Sequence, residues 1–172
     1  RVLSYANVLD KKKFNIGICW KGAKNKFNTG RAFPLAMFKD ISSLPGVELF
    51  SLLKESNDSE IKDINFDLNI FGDNFDAGDN AFLDTADVMI NCDLIITSDT
   101  SIAHLAGALG CTTMVVLKKI PDWRWMLNRD DSPWYPGMTL YRQQKRGDWK
   151  SVFKKIMQDV EPMVKAKRAE LI

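Results

Sequence analysis

The stretch from Cys92 to Gly110 constrains the fold most, because its hydrophobic period changes in the middle. Leu94 to Ile96 is a short run of large aliphatic residues, which indicates a strand buried on both faces. From Ile102 onward, apolar and small residues follow the spacing of a helix packed closely on a sheet, and Gly110 provides its end. The sequence therefore predicts a strand, a tight polar turn and a helix in direct succession.

The turn between these elements is Ser98-Asp99-Thr100-Ser101, and each of its side chains is able to cap a helix. The first N–H groups of the following helix have no partner within the helix, which makes the turn an anion site by geometry. In an open parallel sheet such a turn lies at the carboxyl ends of the strands, where ligands of this fold class bind. An ordinary capped helix explains the same residues, so both interpretations stand at this point.

Three segments of the chain resemble a known family. Asp99 to Leu109 is similar to the D-T-x-x-x-H-L-A-x-A-L segment of the heptosyltransferases, glycosyltransferase family nine. Pro121 to Trp125 and Asp131 to Pro136 resemble relatives of that family that are fused behind tetratricopeptide repeats. The resemblance runs from about Ile16 to about Val152. It implies one half of the two-domain GT-B fold, namely the half that binds the sugar donor.

Composition agrees with one domain and excludes several classes of protein. A chain of 172 residues that is 45% hydrophobic can bury a sizeable core, and its net charge of +2 gives no reason to expect a nucleic-acid partner. No segment is long enough to span a membrane, and we expect no signal peptide, so a cytoplasmic location is predicted. Cys19, Cys92 and Cys111 are odd in number and widely spaced, which predicts free buried thiols.

We predict an α/β fold with a Rossmann-like, mainly parallel sheet of about six strands flanked by helices. A nucleotide-sugar-binding domain is expected over 14–165 and a tail over 166–172, and the resemblance implies that 1–13 is a linker from a missing upstream domain. A helix is expected from Pro34 to about Leu44. The apolar runs that predict strands are 14–20, 47–53, 66–70, 94–96, 112–117 and 139–142.

Cations follow the ends of the first two predicted strands. Lys21 and Arg31 lie in the long loop after the first strand, and Lys54 and Glu55 end the second. In the family a basic residue of this loop neutralises the donor diphosphate, and Arg31 matches that place best, with Lys21 as the other candidate. Lys54 is placed to reach a phosphate. Glu55 is a weaker candidate, placed to reach a ribose hydroxyl, because a charged pair that simply closes a strand explains it slightly better.

Four further residues are weaker donor-binding candidates. In the relatives, the segment that matches Asp84 and Thr85 lies near the nucleotide base or ribose, but helix capping explains both residues without a ligand. Asp122 and Arg124 lie in an aromatic loop that is a candidate pocket wall. The acidic loop 71–80 lacks the alternating ligands and the closing Glu of a calcium site, so we expect neither a metal nor a cofactor.

His104 follows Thr100 by four residues, which places both on one helix face. A contact with a phosphate or with Asp99 and a purely local role in orienting the turn both fit this spacing. Asp99 is better placed to cap the helix or to hold sugar hydroxyls than to face a diphosphate, since a carboxylate repels that group.

The resemblance implies the donor-binding half of a glycosyltransferase, inactive by itself, whose acceptor and catalytic base belong largely to the upstream domain, accompanied in some relatives by tetratricopeptide repeats. The donor is a nucleoside diphosphate sugar. Its leaving diphosphate would be stabilised without a metal by the N–H groups of Thr100 to Ala103, which include those of Ser101 and Ile102, helped by Arg31 and Lys54. The alternatives are a non-catalytic nucleotide-sugar-binding or interaction module and, more weakly, a phosphosugar epimerase or synthase. No G-x-G-x-x-G follows the first strand and no P-loop motif occurs, which argues against dinucleotide oxidoreductases and P-loop NTPases.

Overall fold

The computed structural model describes residues 5–22, 30–54, 59–77, 79 and 81–171. Within them, five parallel strands form one sheet in the order β2-β1-β3-β4-β5. The strands are β1 Phe14–Cys19, β2 Val47–Ser51, β3 Leu94–Ser98, β4 Thr113–Leu117 and β5 Met138–Arg142. The helices are α1 Lys39–Ser42, α2 Ser59–Asp63, α3 Leu83–Asn91, α4 Ser101–Ala108 and α5 Trp149–Glu170, and short 3-10 turns occupy Leu35–Phe38 and Trp123–Trp125. The predicted α/β class with a Rossmann-like parallel sheet is confirmed.

The three central strands, β1, β3 and β4, are buried along their whole length, because helices cover both faces of the sheet. On one face, Ile18 of β1 and Ile96 of β3 pair in register and pack with Phe38 and with the buried side of α5. On the other face, Ile95 packs against α3 and α4. The continuous apolar runs of the sequence form the central strands, because a strand that is buried on both faces needs apolar residues at successive positions.

Helix α5 has an amphipathic pattern and a well-defined start. The Asp148 carboxylate accepts the N–H of Ser151 at 3.1 Å, which caps the helix. Its buried face consists of Val152, Phe153, Ile156, Val160 and Val164. The helix continues through 166–170, which we had assigned to a tail.

The predicted strand over 66–70 is wrong, so the sheet has five strands within the described ranges instead of about six. Only Asn69 bridges to β2: its N–H donates to Leu49 O at 2.9 Å, and its own carbonyl accepts the N–H of Ser51 at 2.9 Å. The predicted helix 34–44 begins as a 3-10 turn, because Pro34 is extended, with φ −62° and ψ 134°, and precedes the first turn.

The opposite edge of the sheet is covered in a similar way. Leu140 of β5 donates its N–H to Asp130 O at 2.7 Å, and Asp131 forms an antiparallel bridge with Thr139. Both outer strands, β2 and β5, are therefore partly paired with a short segment that is not itself a strand.

Ion pairs fasten the amino ends of the strands. Lys167 near the end of α5 donates to both Asp93 carboxylate oxygens, at 2.7 and 2.6 Å, and the same carboxylate accepts the Asn15 N–H at 2.8 Å. Lys13 and Glu48 form a second pair, with 2.5 Å between Nζ and Oε1. The end of α5 is thereby tied to the strands β1 and β3.

Residues 5–13, predicted to be a linker, contact this body of the chain. The Tyr5 ring lies edge-on to Phe71 and Phe75, with centroids 4.9 and 5.6 Å away, and Leu9 is buried. Within the described residues, no helix combines the length and the apolar character needed to cross a membrane.

All three cysteines are free, as predicted, with Cys19 buried and Cys92 and Cys111 half-buried. Burial raises the pKa of Cys92 to about 12, so this thiol stays protonated at neutral pH.

Candidate functional site

The strand order places a topological switch point between β1 and β3. From β1 the chain moves outward to β2, whereas from β3 it moves outward to β4 in the other direction, so the two following loops diverge and leave a crevice. Gly22 and Arg31 belong to the first loop, and the turn from Ser98 to Ser101 follows β3. The turn predicted to bind an anion therefore lies where ligands of open α/β sheets bind.

Side chains from both loops meet at this crevice. The Sγ of Cys19 lies 3.8 Å from Thr100 Oγ1. A Cβ added at Gly22 would lie 2.9 Å from Thr100 Cγ2 and 4.0 Å from Arg31 Nη2. Residue 22 therefore has no room for a side chain, and the Arg31 guanidinium lies close to Thr100 at the start of α4.

The start of α4 leaves several backbone donors available. Thr100 is the N-cap, but its side chain makes no capping hydrogen bond and lies 3.5 Å from Thr97 Oγ1. The Ala103 N–H donates to Thr100 O at 3.1 Å, so this one of the predicted donors is not available to a ligand. In the described part of the chain, no acceptor is found for the N–H groups of Thr100, Ser101 and Ile102. Because Thr100 is the N-cap, the predicted capping role of Asp99 is not observed.

Two buried polar atoms beside this turn have no partner among the described residues. Ser98 is 0% exposed and Asp99 is 5% exposed, and within this part of the chain neither Ser98 Oγ nor Asp99 Oδ2 makes a hydrogen bond. Leaving a buried polar group unsatisfied costs about 1–3 kcal/mol, so each such group in a folded protein calls for an explanation. A ligand that donates hydrogen bonds at this turn is one explanation, and sugar hydroxyls are such donors.

The three predicted cations differ in what they contact. Lys54 Nζ donates to Asp76 O at 2.8 Å, and Lys21 Nζ lies 4.0 Å from Glu60 Oε1. Arg31 is half-buried and has no hydrogen-bond or ion-pair partner among the described residues. Arg31 is therefore the cation of this crevice that is open to an anion. Glu55 lies outside the described residues.

Asp84 and Thr85 form part of a reciprocal helix cap. The Asp76 carboxylate accepts the backbone N–H groups of Asp84 and Thr85, at 3.0 and 3.3 Å, and the Thr85 hydroxyl. In return, the Asp84 carboxylate accepts the Asp76 N–H at 2.9 Å. Sequence reasoning missed Asp76, which takes a left-handed φ of 51° and caps α3 from eight residues away. Capping thus accounts for the contacts seen at Asp84 and Thr85.

His104 is held by aromatic side chains from the loop after β4. Its Nδ1 lies 3.1 Å from Tyr135 Oη, and its ring stacks on Trp125 with centroids 5.2 Å apart. A Cβ at Gly107 would lie 2.4 Å from Tyr135 Cγ, so glycine at this position allows Tyr135 to reach His104. This geometry favours the local, orienting role of His104.

Asp122 and Arg124 are paired with each other. Asp122 Oδ1 accepts the Arg124 N–H at 3.1 Å and Nη1 at 2.8 Å, and the guanidinium lies 4.9 Å from the Trp123 ring centroid. Burial acts to raise the pKa of Asp122, but the hydrogen bonds and charge of Arg124 outweigh it and hold that pKa below its usual value. The pair shapes the aromatic loop and makes its contacts within the protein.

Residues 5–22, 30–54, 59–77, 79 and 81–171 contain no group of three or more His, Cys, Asp and Glu side chains arranged to hold a metal ion.

Comparison with known proteins gives structural neighbours only. No protein-family model matches the chain, and no curated protein matches it by sequence. Its structure is similar to the E. coli ADP-heptose LPS heptosyltransferase II (TM-score 0.65, 13% identity, 95% of this chain and 51% of that chain). It is also similar to a glycosyl transferase of family 9 from Veillonella parvula (TM-score 0.67, 13% identity, 93% and 49%). A third similar structure is E. coli heptosyltransferase WaaC with ADP-2-deoxy-2-fluoro heptose (TM-score 0.61, 11% identity, 87% and 43%).

These neighbours confirm the predicted resemblance at the level of the fold. This chain spans about half of each of them. The chain thus has the fold of one Rossmann-like half of a GT-B glycosyltransferase of the heptosyltransferase type.

Proposed function

We propose that this chain binds a nucleoside diphosphate sugar at the crevice between β1 and β3, as the donor half of a glycosyltransferase. The observation that carries the proposal is the position of Arg31, whose guanidinium lies beside Gly22 and Thr100 and has no partner among the described residues. The N–H groups of Ser101 and Ile102 open onto the same place. A cation and two backbone donors together suit a diphosphate.

Glycosyl transfer leaves a diphosphate on which negative charge grows as the bond to the sugar breaks. Donors already fixed in place stabilise this charge without any reorganisation of water. Ser101 and Ile102 are fixed by α4, and the positive end of the α4 dipole adds to their effect. His104, held by Tyr135 and Trp125, orients the first turn of that helix. The residues present would thus stabilise the leaving group.

The buried Asp99 Oδ2 and Ser98 Oγ have no partners in the described part of the chain and lie next to these donors. Both can accept hydrogen bonds from sugar hydroxyls, so we assign them to the sugar side of the donor. Lys21 and Lys54 contribute charge at longer range, because each already contacts a protein acceptor.

In this proposal an upstream domain supplies the catalytic base and binds the larger part of the acceptor. The structural neighbours are about twice as long as this chain, and it matches one half of them. In this proposal, transfer therefore requires the longer protein. Tetratricopeptide repeats are one candidate for a further part of that protein. A cytoplasmic location fits the reaction.

Calorimetry of this chain with ADP, GDP and UDP tests donor binding. ADP comes first, because E. coli heptosyltransferase WaaC is found with ADP-2-deoxy-2-fluoro heptose in one similar structure and with ADP in another. We expect Arg31→Ala to weaken binding about tenfold or more, since a charge-assisted contact to phosphate is lost. Arg168→Ala is the matched control: it removes the same charge beside Gly46, at the amino end of β2.

A second pair of variants tests the backbone donors. Ser101 is the first residue of α4, a position at which proline is favoured, and the preceding Thr100 is already extended, as proline requires. Ser101→Pro therefore removes one N–H without disturbing the helix, whereas Ser101→Ala keeps it. We expect Ser101→Pro alone to weaken nucleotide binding. Absence of binding at millimolar nucleotide, or equal losses in Arg31→Ala and Arg168→Ala, would contradict the proposal.

Transfer itself is tested by restoring the upstream part of the protein. Turnover of a nucleotide sugar only in the longer protein supports the transferase. Binding without turnover in that protein supports a non-catalytic nucleotide-sugar-binding module instead.

A further inference from the structure

A cavity of about 400 Å³ lies at the carboxyl ends of β4 and β5, beside the proposed donor crevice. Its walls come from the loop after β1, through Gly30 and Ala32, and from the residues that follow β4 and β5. Gly30 and Ala32 flank Arg31, so one loop separates this cavity from the donor crevice. The volume is within the range of about 300–1,000 Å³ that is usual for small-molecule pockets.

The charges around this cavity have one sign. Lys118, Lys119 and Arg146 line it, and no Asp or Glu does. Lys119 and Arg146 have no hydrogen-bond or ion-pair partner among the described residues. A concave surface lined by charges of one sign concentrates the electric field and attracts ions of the other sign. The cavity is therefore suited to an anion.

Gln143 supplies an independent indication. It lines the cavity and is 3% exposed, and its side-chain Nε2 has no hydrogen-bond partner within the described ranges. Its backbone N–H is satisfied by Leu117 O at 3.0 Å, which fixes the residue at the end of β5. An amide donor left without a partner in the interior is costly, and an oxyanion supplies the acceptor that it lacks.

The larger cavity next to it, of about 580 Å³, does not have this character. It also contains arginines, but they are bound to the protein: Arg142 donates to Trp125 O and Met126 O at 3.0 and 2.8 Å, and Arg129 pairs with Asp131 at 2.7 Å. Its lining also includes Asp130. Lys119 and Gln143 line both cavities, but Arg146 lines only the smaller one. The smaller cavity therefore combines two cations, Lys119 and Arg146, that have no partner among the described residues.

The smaller cavity also has an apolar side. Trp149 at the start of α5 lines it and is half-buried, and Ile120, which is 58% exposed, lies at its rim. An aromatic ring beside cations and an amide suits a sugar-sized ring that carries a charged group.

We infer that this cavity binds the phosphate or carboxylate group of a ring-sized molecule other than the donor. We assign this molecule as the acceptor of the transfer, and that assignment rests on the proposed function. The shared wall at Arg31 then places the acceptor anion next to the donor diphosphate, on one edge of the sheet. The inference thus names the substrate class of the transfer as an anionic acceptor.

The test uses glucose 6-phosphate, glucuronate and uncharged glucose as probes, with calorimetry as the main readout and intrinsic tryptophan fluorescence, to which all five tryptophans contribute, as the second. We expect the two anions to bind and glucose not to bind, and binding to persist when ADP is saturating. The double variant Lys119→Ala, Arg146→Ala should weaken anion binding about tenfold or more and leave ADP binding unchanged. The control is Lys165→Ala, Arg168→Ala, which removes the same charge from α5 outside the cavity.

Gln143→Leu is a second variant, since leucine keeps the volume and removes the amide; we expect weaker anion binding with an unchanged midpoint of unfolding. The inference is overturned if neither anion binds at millimolar concentration, if ADP displaces them, or if the control variant loses as much affinity. Failure of the proposed function has a different signature. Anions that still bind in a Lys119- and Arg146-dependent way, in a protein that binds no nucleotide, would leave the anion site standing and remove only its assignment to an acceptor.

Discussion

The two ends of the sheet use their charges differently. At the amino end, Asp93 is paired with Lys167 and also accepts a backbone N–H of β1, and Lys13 is paired with Glu48. At the carboxyl end, Arg31, Lys119 and Arg146 have no partner in the part of the chain that the structure describes. The ion pairs at the first end fasten the fold, whereas these three cations at the second end are open to a ligand.

Buried uncharged groups without a hydrogen-bond partner occur at both ends of the sheet. Among the described residues, Asn15 Oδ1 at the amino end has no partner, and the same is true of Ser98 Oγ and Gln143 Nε2 at the carboxyl end. The contrast therefore lies in the charged groups, and the strongest way to test it is to remove them one at a time.

Asp93→Ala should have the largest effect on folding. It leaves Lys167 without its partner and the Asn15 N–H without its acceptor, so we expect a loss of about 2–3 kcal/mol in the free energy of unfolding. Urea denaturation measures it. Lys165→Ala, which breaks an exposed pair with Glu161 on α5, should cost only about 0.3–0.5 kcal/mol. Nucleotide affinity should not change in either variant. A loss of nucleotide affinity in Asp93→Ala would contradict the distinction between the two ends of the sheet.

Gly107→Ala should have the next largest effect. In most helices this substitution stabilises, by up to about 1 kcal/mol, but here the new Cβ would lie 2.4 Å from Tyr135 Cγ. We expect a net destabilisation of about 1–3 kcal/mol from overpacking and, because Tyr135 contacts His104, weaker nucleotide binding as well. Gly72→Ala is the matched control, since nothing lies within 4 Å of its added Cβ. An unchanged midpoint in thermal unfolding of Gly107→Ala would show that Tyr135 moves freely.

Arg31→Ala should have the smallest effect on folding, within about 0.5 kcal/mol of the parent, as is usual for residues without partners. The same variant is the one expected to lose nucleotide affinity. Arg31→Ala should therefore lose nucleotide affinity in calorimetry and keep its stability in urea denaturation. Asp93→Ala should lose stability and keep its nucleotide affinity. A substantial loss of stability in Arg31→Ala would mean that this guanidinium serves the fold.

Much of the fold could be read from local sequence pattern. The change of period at Ser98 predicted β3, the turn and α4, because buried strands and closely packed helices leave different spacings. The run 66–70 alternates like a strand, yet only Asn69 pairs, since pairing depends on where β2 lies and not on the alternation itself. Local pattern also misplaced Pro34, which precedes the first turn instead of opening a helix.

The site was less predictable, because its chemistry depends on contacts distant in the chain. Lys54 and Arg31 are equivalent in the sequence, and only the fold brings Asp76 O to Lys54 and no described acceptor to Arg31. The cap of α3 by Asp76 needs a left-handed backbone that no local motif announces. Gln143 gave no signal beyond its position at the end of β5.

The partial cover on both outer strands bears on how the chain behaves at high concentration. A bare strand edge offers a row of N–H and C=O groups on which a second molecule can add a strand, a common route to aggregation. Asn69 occupies part of that row on β2, and Asp130 and Asp131 occupy part of it on β5. This cover hinders a second molecule of the protein from adding a strand at either edge of the sheet.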